Sequence, residues 1–195
     1  LLFIVYFYSG LAKLNSDWLI EAQPLKIWLT SSYDLPIIGS TLMQQNWVHY
    51  AMSWGGMFYD LFIAILLLYS RTRIFAFFLV IFFHVFTAIL FPIGMFPYIM
   101  IVGSLIFFEP ETHNKIIKKI DGTLKFIGFR PKKTELLRVK SIKNSIVLSI
   151  VTVFFVIQLC FPFRYFLYPG ELFWNEQGYR FSWRVMLIEK KGITN

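Results

Sequence analysis

The chain alternates long apolar runs with short polar interruptions, and the lengths of the runs predict most of its elements. Residues 46–70 (NWVHYAMSWGGMFYDLFIAILLLYS) and 74–91 (IFAFFLVIFFHVFTAILF) are each long enough to cross a bilayer as a helix. RTR at 71–73 predicts a tight turn between them, so the two helices run antiparallel. Residues 145–163 predict another span, and residues 1–12 read as the tail of a helix. FPIGMFP at 91–97 holds two prolines and a glycine and predicts a break. The apolar stretch after it, 98–108, is short, so it spans only if its helix begins near Met95; otherwise it continues a re-entrant break.

The polar segments are read from their capping and breaking residues. Ser16 or Asp17 is expected to cap a helix from Trp18 to about Leu29, kinked or split at Pro24. Its mixture of Trp18, Glu21, Lys26 and Trp28 suits a helix lying in the membrane interface. Residues 30–45 read as a loop, and 109–143 as a soluble loop.

Composition supports the membrane reading. The 195 residues are 57% hydrophobic and 20% aromatic. Only 15% are charged, against about 25% in a typical soluble domain. Mean hydropathy is +0.61. The expected fold is all-α, a polytopic transmembrane bundle with an interfacial helix. Residues 1–166 form the transmembrane domain, and 167–195 form an extracytoplasmic segment leading to a further C-terminal domain. The chain opens inside an apolar run without Met, which reads as part of a longer protein. The single cysteine, Cys160, lies in an apolar run and reads as a buried, inert thiol.

Charge sets the orientation. Residues 109–143 hold ten Lys/Arg against four Asp/Glu, and short basic loops stay in the cytoplasm. That places RTR and 109–143 inside, the latter solvated, orienting and lipid-facing. Lys13, the FPIGMFP break and the C-terminal tail then share the opposite face. Nothing in the basic segment indicates nucleic acid as a partner. Heavy use of Phe, Ile, Lys, Tyr and Asn suggests a bacterial source, hence an inner membrane with the site facing the periplasm. In a eukaryote the equivalent is the ER membrane with a lumenal site.

Candidate chemistry begins at Lys13, which stands at the last turn of an apolar helix. It is either a snorkelling anchor or an amine kept neutral by poor solvation and able to act as a general base. Asp60 lies about 20 Å of helix from Asn46, near mid-membrane, where a carboxylate must be paired, protonated or facing a polar cavity. His84 lies about 10 Å below the outer end of its helix, and the two are expected to meet across the antiparallel pair. Gly55 and Gly56 give one helix a smooth face, for close packing or for a flat cofactor. His49, His84 and His113 have no ligand spacing, so no metal is expected.

With these residues laid out, the chain resembles the membrane part of the vitamin K-dependent gamma-glutamyl carboxylases and their bacterial relatives, the horizontally transferred transmembrane domain. GLAKLNSDW (10–18), WGGMFYDL (54–61), HVFTAILFPIGMFPYIM (84–100) and FWNEQGYRFSW (173–183) carry the resemblance, in order. It implies that Lys13 deprotonates reduced vitamin K, or another quinol, which then takes up O2. The strongly basic oxygenated species removes a gamma-proton from a substrate glutamate, the carbanion adds CO2, and the cofactor leaves as the epoxide. It implies that His84, Met95, Phe96 and Tyr98, with Gly55 and Gly56, line or support the cofactor cavity. Tyr179, Ser182 and Trp183 fall in the stretch associated with a glutamate-containing protein or peptide substrate. Membrane lipid is the other expected partner. The chain departs from the family pattern at Ala12, where a second lysine is common, at Trp54 before the short glycine run, and at Phe181, where a tyrosine is common. Two further classes fit the residues: a quinol-oxygenating enzyme without carboxylation, and a non-enzymatic scaffold or transport component in which Lys13 only anchors.

Overall fold

The computed structural model describes residues 1–32, 40–126, 144–184 and 187. Among the described residues there are ten α-helices, two 3-10 segments and no strand. The first long element is α1 (Leu2–Ala12), followed by the short α2 (Ser16–Leu19) and α3 (Gln23–Ser32). Then come α4 (Ser40–Met43), α5 (Asn46–Leu68), α6 (Arg73–Leu90) and α7 (Phe96–Gly103). A 3-10 turn over Ser104–Phe107 leads to α8 (Pro110–Phe126). After it stand α9 (Asn144–Cys160), a 3-10 segment Phe161–Leu167 and α10 (Leu172–Asn175).

Three of these are long and apolar enough to cross a membrane: α5, α6, and α9 with its 3-10 extension to Leu167. The helices α1 and α7, the latter with its 3-10 turn, are apolar but shorter. This is the all-α membrane architecture expected from the apolar runs. FPIGMFP breaks the chain between α6 and α7, with Gly94 at φ 62° and Pro97 inside the first turn of α7. Proline is tolerated there because that turn has no intrahelical acceptor for its missing N–H.

Several expectations are corrected. The helix after Lys13 is capped by Asn15, whose side chain accepts from the Trp18 N–H, rather than by Ser16 or Asp17. The expected interfacial helix is two helices, and the break falls before Pro24, at Ala22 with φ 48°. Part of the expected 30–45 loop is helical, as the end of α3 and as α4. Within 109–143, residues 110–126 form a helix rather than a loop, and 127–143 lie outside the described residues. Cys160 is exposed on its apolar helix rather than buried. A thiol there faces the same surroundings as its Phe and Ile neighbours.

The core is built where α1 lies along α5. Gly10 makes that closeness possible: a Cβ added there would stand 2.8 Å from the Leu61 backbone nitrogen and 2.8 Å from its Cγ. Two apolar clusters hold the bundle. One gathers Val5, Tyr6, Ile63, Leu67, Val80 and Met100; the other gathers Trp18, Leu25, Leu29, Val48, Leu90 and Phe91. No residue of α9 is buried, and its tie to α1 is the Tyr8 hydroxyl, which donates to the Leu159 carbonyl at 2.7 Å. Replacing Gly10 with Ala is expected to push α1 off α5 and destabilise the bundle by about 1–3 kcal/mol. Thermal unfolding in detergent measures this; an unchanged midpoint would mean that the two helices part freely.

Candidate active site

The site grows from one face of α1. Residues three, four and seven apart share a helix face, so Tyr6, Ser9 and Lys13 point the same way, towards α5 and α6. Lys13 is 6% exposed, and so is Asp60. Lys13 Nζ lies 2.7 Å from Asp60 Oδ2 and donates to Ser9 Oγ at 2.9 Å. Ser9 Oγ donates to the same Asp60 oxygen at 2.7 Å. The Trp18 ring covers the amine, 5.3 Å from its centroid. Amine, hydroxyl and carboxylate thus form a closed triangle inside apolar walls.

Lys13 sits in a setting that neither reading described. It does not snorkel to water, and it is not alone in an apolar pocket, because a carboxylate faces it. The expected contact between Asp60 and His84 is likewise replaced. Asp60 bonds Lys13 and Ser9, while His84 Nε2 and the Tyr6 hydroxyl share a hydrogen bond of 3.0 Å. The reason is reach: Asp60 turns towards α1, and Tyr6 comes between α1 and α6 to meet the imidazole.

A cavity of about 380 Å³ opens beside the triangle. Lys13, Ser9, Asp60, Tyr6 and His84 line it together with Trp18, Trp28, Tyr59, Phe82, Phe83, Phe86, Phe91 and Phe96. It draws its walls from both apolar clusters, so it is the gap left where they meet. Gly55 and Gly56 also line it, and a Cβ at either would meet nothing within 4 Å. Trp54, which stands before them, turns outward and donates its Nε1–H to the Leu19 carbonyl at 3.0 Å, leaving the slot clear. An apolar, aromatic-walled cavity of this size with one convergent polar cluster suits a small planar ligand carrying a hydroxyl.

The other expected site residues are divided. Phe96 lines the cavity, whereas Met95 (71% exposed) and Tyr98 (57% exposed) stand outside it on α7 and its cap. The reason is the helix turn: Phe96 and Met100 share the inward face, and Met95 and Tyr98 fall on the opposite side. Tyr179, Ser182 and Trp183 do not reach this cavity either. Ser182 lines a second one, of about 290 Å³, against the other face of α1, with Tyr8, Asn15, Tyr165, Glu171 and Arg184. The Tyr179 hydroxyl donates to the Arg184 carbonyl at 3.0 Å, and the Ser182 hydroxyl donates to the Tyr179 carbonyl. Burial raises the Tyr179 phenol above its ordinary pKa, so it stays a neutral donor. Trp183, at φ 57°, packs against the inner cluster around Tyr6.

Residues 1–111 match the HTTM domain, and residues 143–195 match the vitamin K-dependent gamma-carboxylase lumenal domain. The chain belongs to the HTTM carboxylase family. No solved structure matches it. Membership makes it a carboxylase-like membrane protein and implies vitamin K as cofactor, and the aromatic cavity with its Lys13–Asp60–Ser9 triangle fits such a group. Of the residues in that cavity, sequence reading missed Tyr6, Ser9 and Tyr59. The signal for the first two was present: both sit on the Lys13 face of the same helix.

The triangle has a stability consequence. Replacing Lys13 with Met leaves the Asp60 carboxylate buried without its counter-charge, which is expected to cost roughly 3–5 kcal/mol. Adding Asp60→Leu to that variant is expected to recover most of the loss, because no charge then remains to be solvated. A thermal-unfolding cycle over the four proteins checks the pair; two additive losses would show that the charges do not interact.

Proposed function

We propose that this protein is a quinol-oxygenating enzyme of the carboxylase type, with Lys13 as the base and Asp60 as its partner. The observation that carries the reading is the buried Lys13–Asp60–Ser9 triangle at the wall of an aromatic cavity of about 380 Å³. Reduced vitamin K, when bound, supplies the acidic phenolic hydroxyl and the carbon framework that reacts with O2. The chain's own residues bind the ring, exclude water and handle the proton. Phe82, Phe83, Phe86 and Phe96 provide flat apolar walls, and Gly55 and Gly56 leave room between them.

Lys13 can be the base only in the form in which the one proton of the Lys13–Asp60 pair stands on Asp60, which leaves the amine its lone pair. Taking a second proton at this pair gives an ammonium beside a neutral acid, a net charge of +1. That charge stands opposite the negative charge created by the transfer and offsets it in a poorly solvated cavity, where such an attraction is strong. Ser9, 2.7 Å from Asp60 Oδ2, holds the Asp60 side chain in place. The aromatic lining would keep water from the group bound there.

Carboxylation, consuming CO2 and a glutamate side chain, is the second half of the proposal. Tyr179, Ser182 and Trp183 are its candidate residues. None of the three lines the first cavity, and Ser182 lines a separate one on the far face of α1, which favours a second reading, in which the quinol is oxygenated without carboxylation. Both readings have the site opening away from the cytoplasm, because the start of α8 lies with the Arg71–Arg73 turn at the other end of the bundle.

Purified protein incubated with reduced vitamin K, O2, labelled bicarbonate and a Glu-rich peptide separates the readings. Epoxide with fixed label is the expected result; epoxide alone would support the second reading, and neither product would remove the enzymatic proposal. Lys13→Ala is expected to lower epoxide formation by roughly 10²–10⁴-fold. Turnover retained in that variant would take Lys13 out of the reaction.

A further inference from the structure

The helix α8 leaves the bundle at the membrane end marked by the Tyr69–Thr72 turn. Glu109, next to its first residue, pairs with Arg73 at 3.3 Å, and the Phe108 ring packs edge-on against Phe77 at 5.1 Å. Beyond that anchor, every described side chain of α8 is exposed or only partly covered. Ile116 is 42% exposed, Ile117 61% and Ile120 53%. At about 100° per residue these three isoleucines fall within one arc, and Lys115, Lys118, Lys119 and Lys125 gather around the opposite direction. Four lysines face two acids, Glu111 and Asp121, along the helix. Asp121 is already paired with Lys125 at 2.5 Å. Among the described residues, no carboxylate lies within salt-bridge distance of Lys115, Lys118 or Lys119.

We infer that α8 is a membrane-surface helix that seats Ile116, Ile117 and Ile120 among acyl chains and presents its lysines to anionic lipid headgroups. Continuity identifies the occupant: the helix starts three residues after the 3-10 turn that ends the α7 hydrocarbon segment, so the nearest apolar phase is the bilayer itself. Charge identifies the headgroup. A helix with one apolar stripe and one basic face binds in the interface plane, and each lysine near an anionic surface strengthens that binding. Long lysine stems cover apolar surface while their ammonium groups reach the phosphates. The inference is independent of the quinol reading, because no residue of α8 lines the cavity.

The test uses the full chain, one copy per nanodisc, in a Cys160→Ser background. A spin label is placed at Ile120→Cys or at Lys119→Cys, and its accessibility to O2 and to a water-soluble nickel complex is compared. With phosphatidylglycerol present, the label at position 120 is expected to be shielded from nickel and open to O2, and the label at 119 the reverse. The oxygen-to-nickel ratio at 120 is expected to exceed that in pure phosphatidylcholine by roughly threefold or more. Changing Lys115, Lys118 and Lys119 together to Gln is expected to erase that lipid dependence. Equal nickel access at both positions would overturn the inference, since the helix would then stand in water. Shielding at 120 that is the same in both lipids would overturn the assignment of anionic headgroups.

Discussion

A charge cannot remain unpaired in hydrocarbon, and the Lys13–Asp60 pair is how this bundle meets that constraint. Asp60 stands in the middle of a membrane-length helix, where the carboxylate's lost hydration costs several kcal/mol unless a counter-charge and hydrogen bonds replace it. Lys13 supplies the charge at 2.7 Å, and Ser9 supplies a hydroxyl to the same oxygen. Both donors come from α1, so the pair fixes the rotation of α1 as well as its depth against α5. Gly10 completes the arrangement by letting the two backbones approach. A buried ion pair is weak support for stability by itself, but it discriminates strongly against any register that separates its members.

The cavity follows from that rotation. With Ser9 and Lys13 turned inward, Tyr6 turns inward too, and its hydroxyl meets His84 on α6. The polar atoms on this face therefore gather on one wall, while phenylalanines of α6 and α7 make the others. The FPIGMFP break matters here because it ends α6 before α7 begins, which brings Phe91 and Phe96 into the same space from different helices. Gly55 and Gly56 keep α5 from filling it. The result is an aromatic-walled hollow with one polar corner formed by Lys13, Asp60 and Ser9.

Around this centre the attachments loosen. The helix α9 has no buried residue and touches α1 through Tyr8. The segment after it returns to the bundle: Trp183 packs on the inner cluster and Leu187 on the outer one. Gly178, at φ 81°, passes so close to Tyr165 that a Cβ there would stand 2.7 Å from the Tyr165 Cα. This return places a second cavity on the far face of α1, so one helix separates the proposed cofactor space from the space beside Ser182.

Run length and residue type were enough to determine the membrane class, the positions of α5 and α6, the break between α6 and α7, and the family. Hydrocarbon solvation acts on each residue locally, so a long apolar run states its own fate, and proline states where a helix stops. Lys13 was legible as a candidate for the same reason: an amine inside an apolar run is out of place. Its partner was not legible. Residues 13 and 60 are joined only by the rotation of α1 on α5, and the sequence alone favoured His84 for Asp60 because their helices are neighbours in the chain. The exposure of Met95 and Tyr98, the Asn15 cap and the second cavity beside Ser182 depend in the same way on how helices turn against one another. Those turns are set by packing between segments distant in sequence, and no local pattern carries that information.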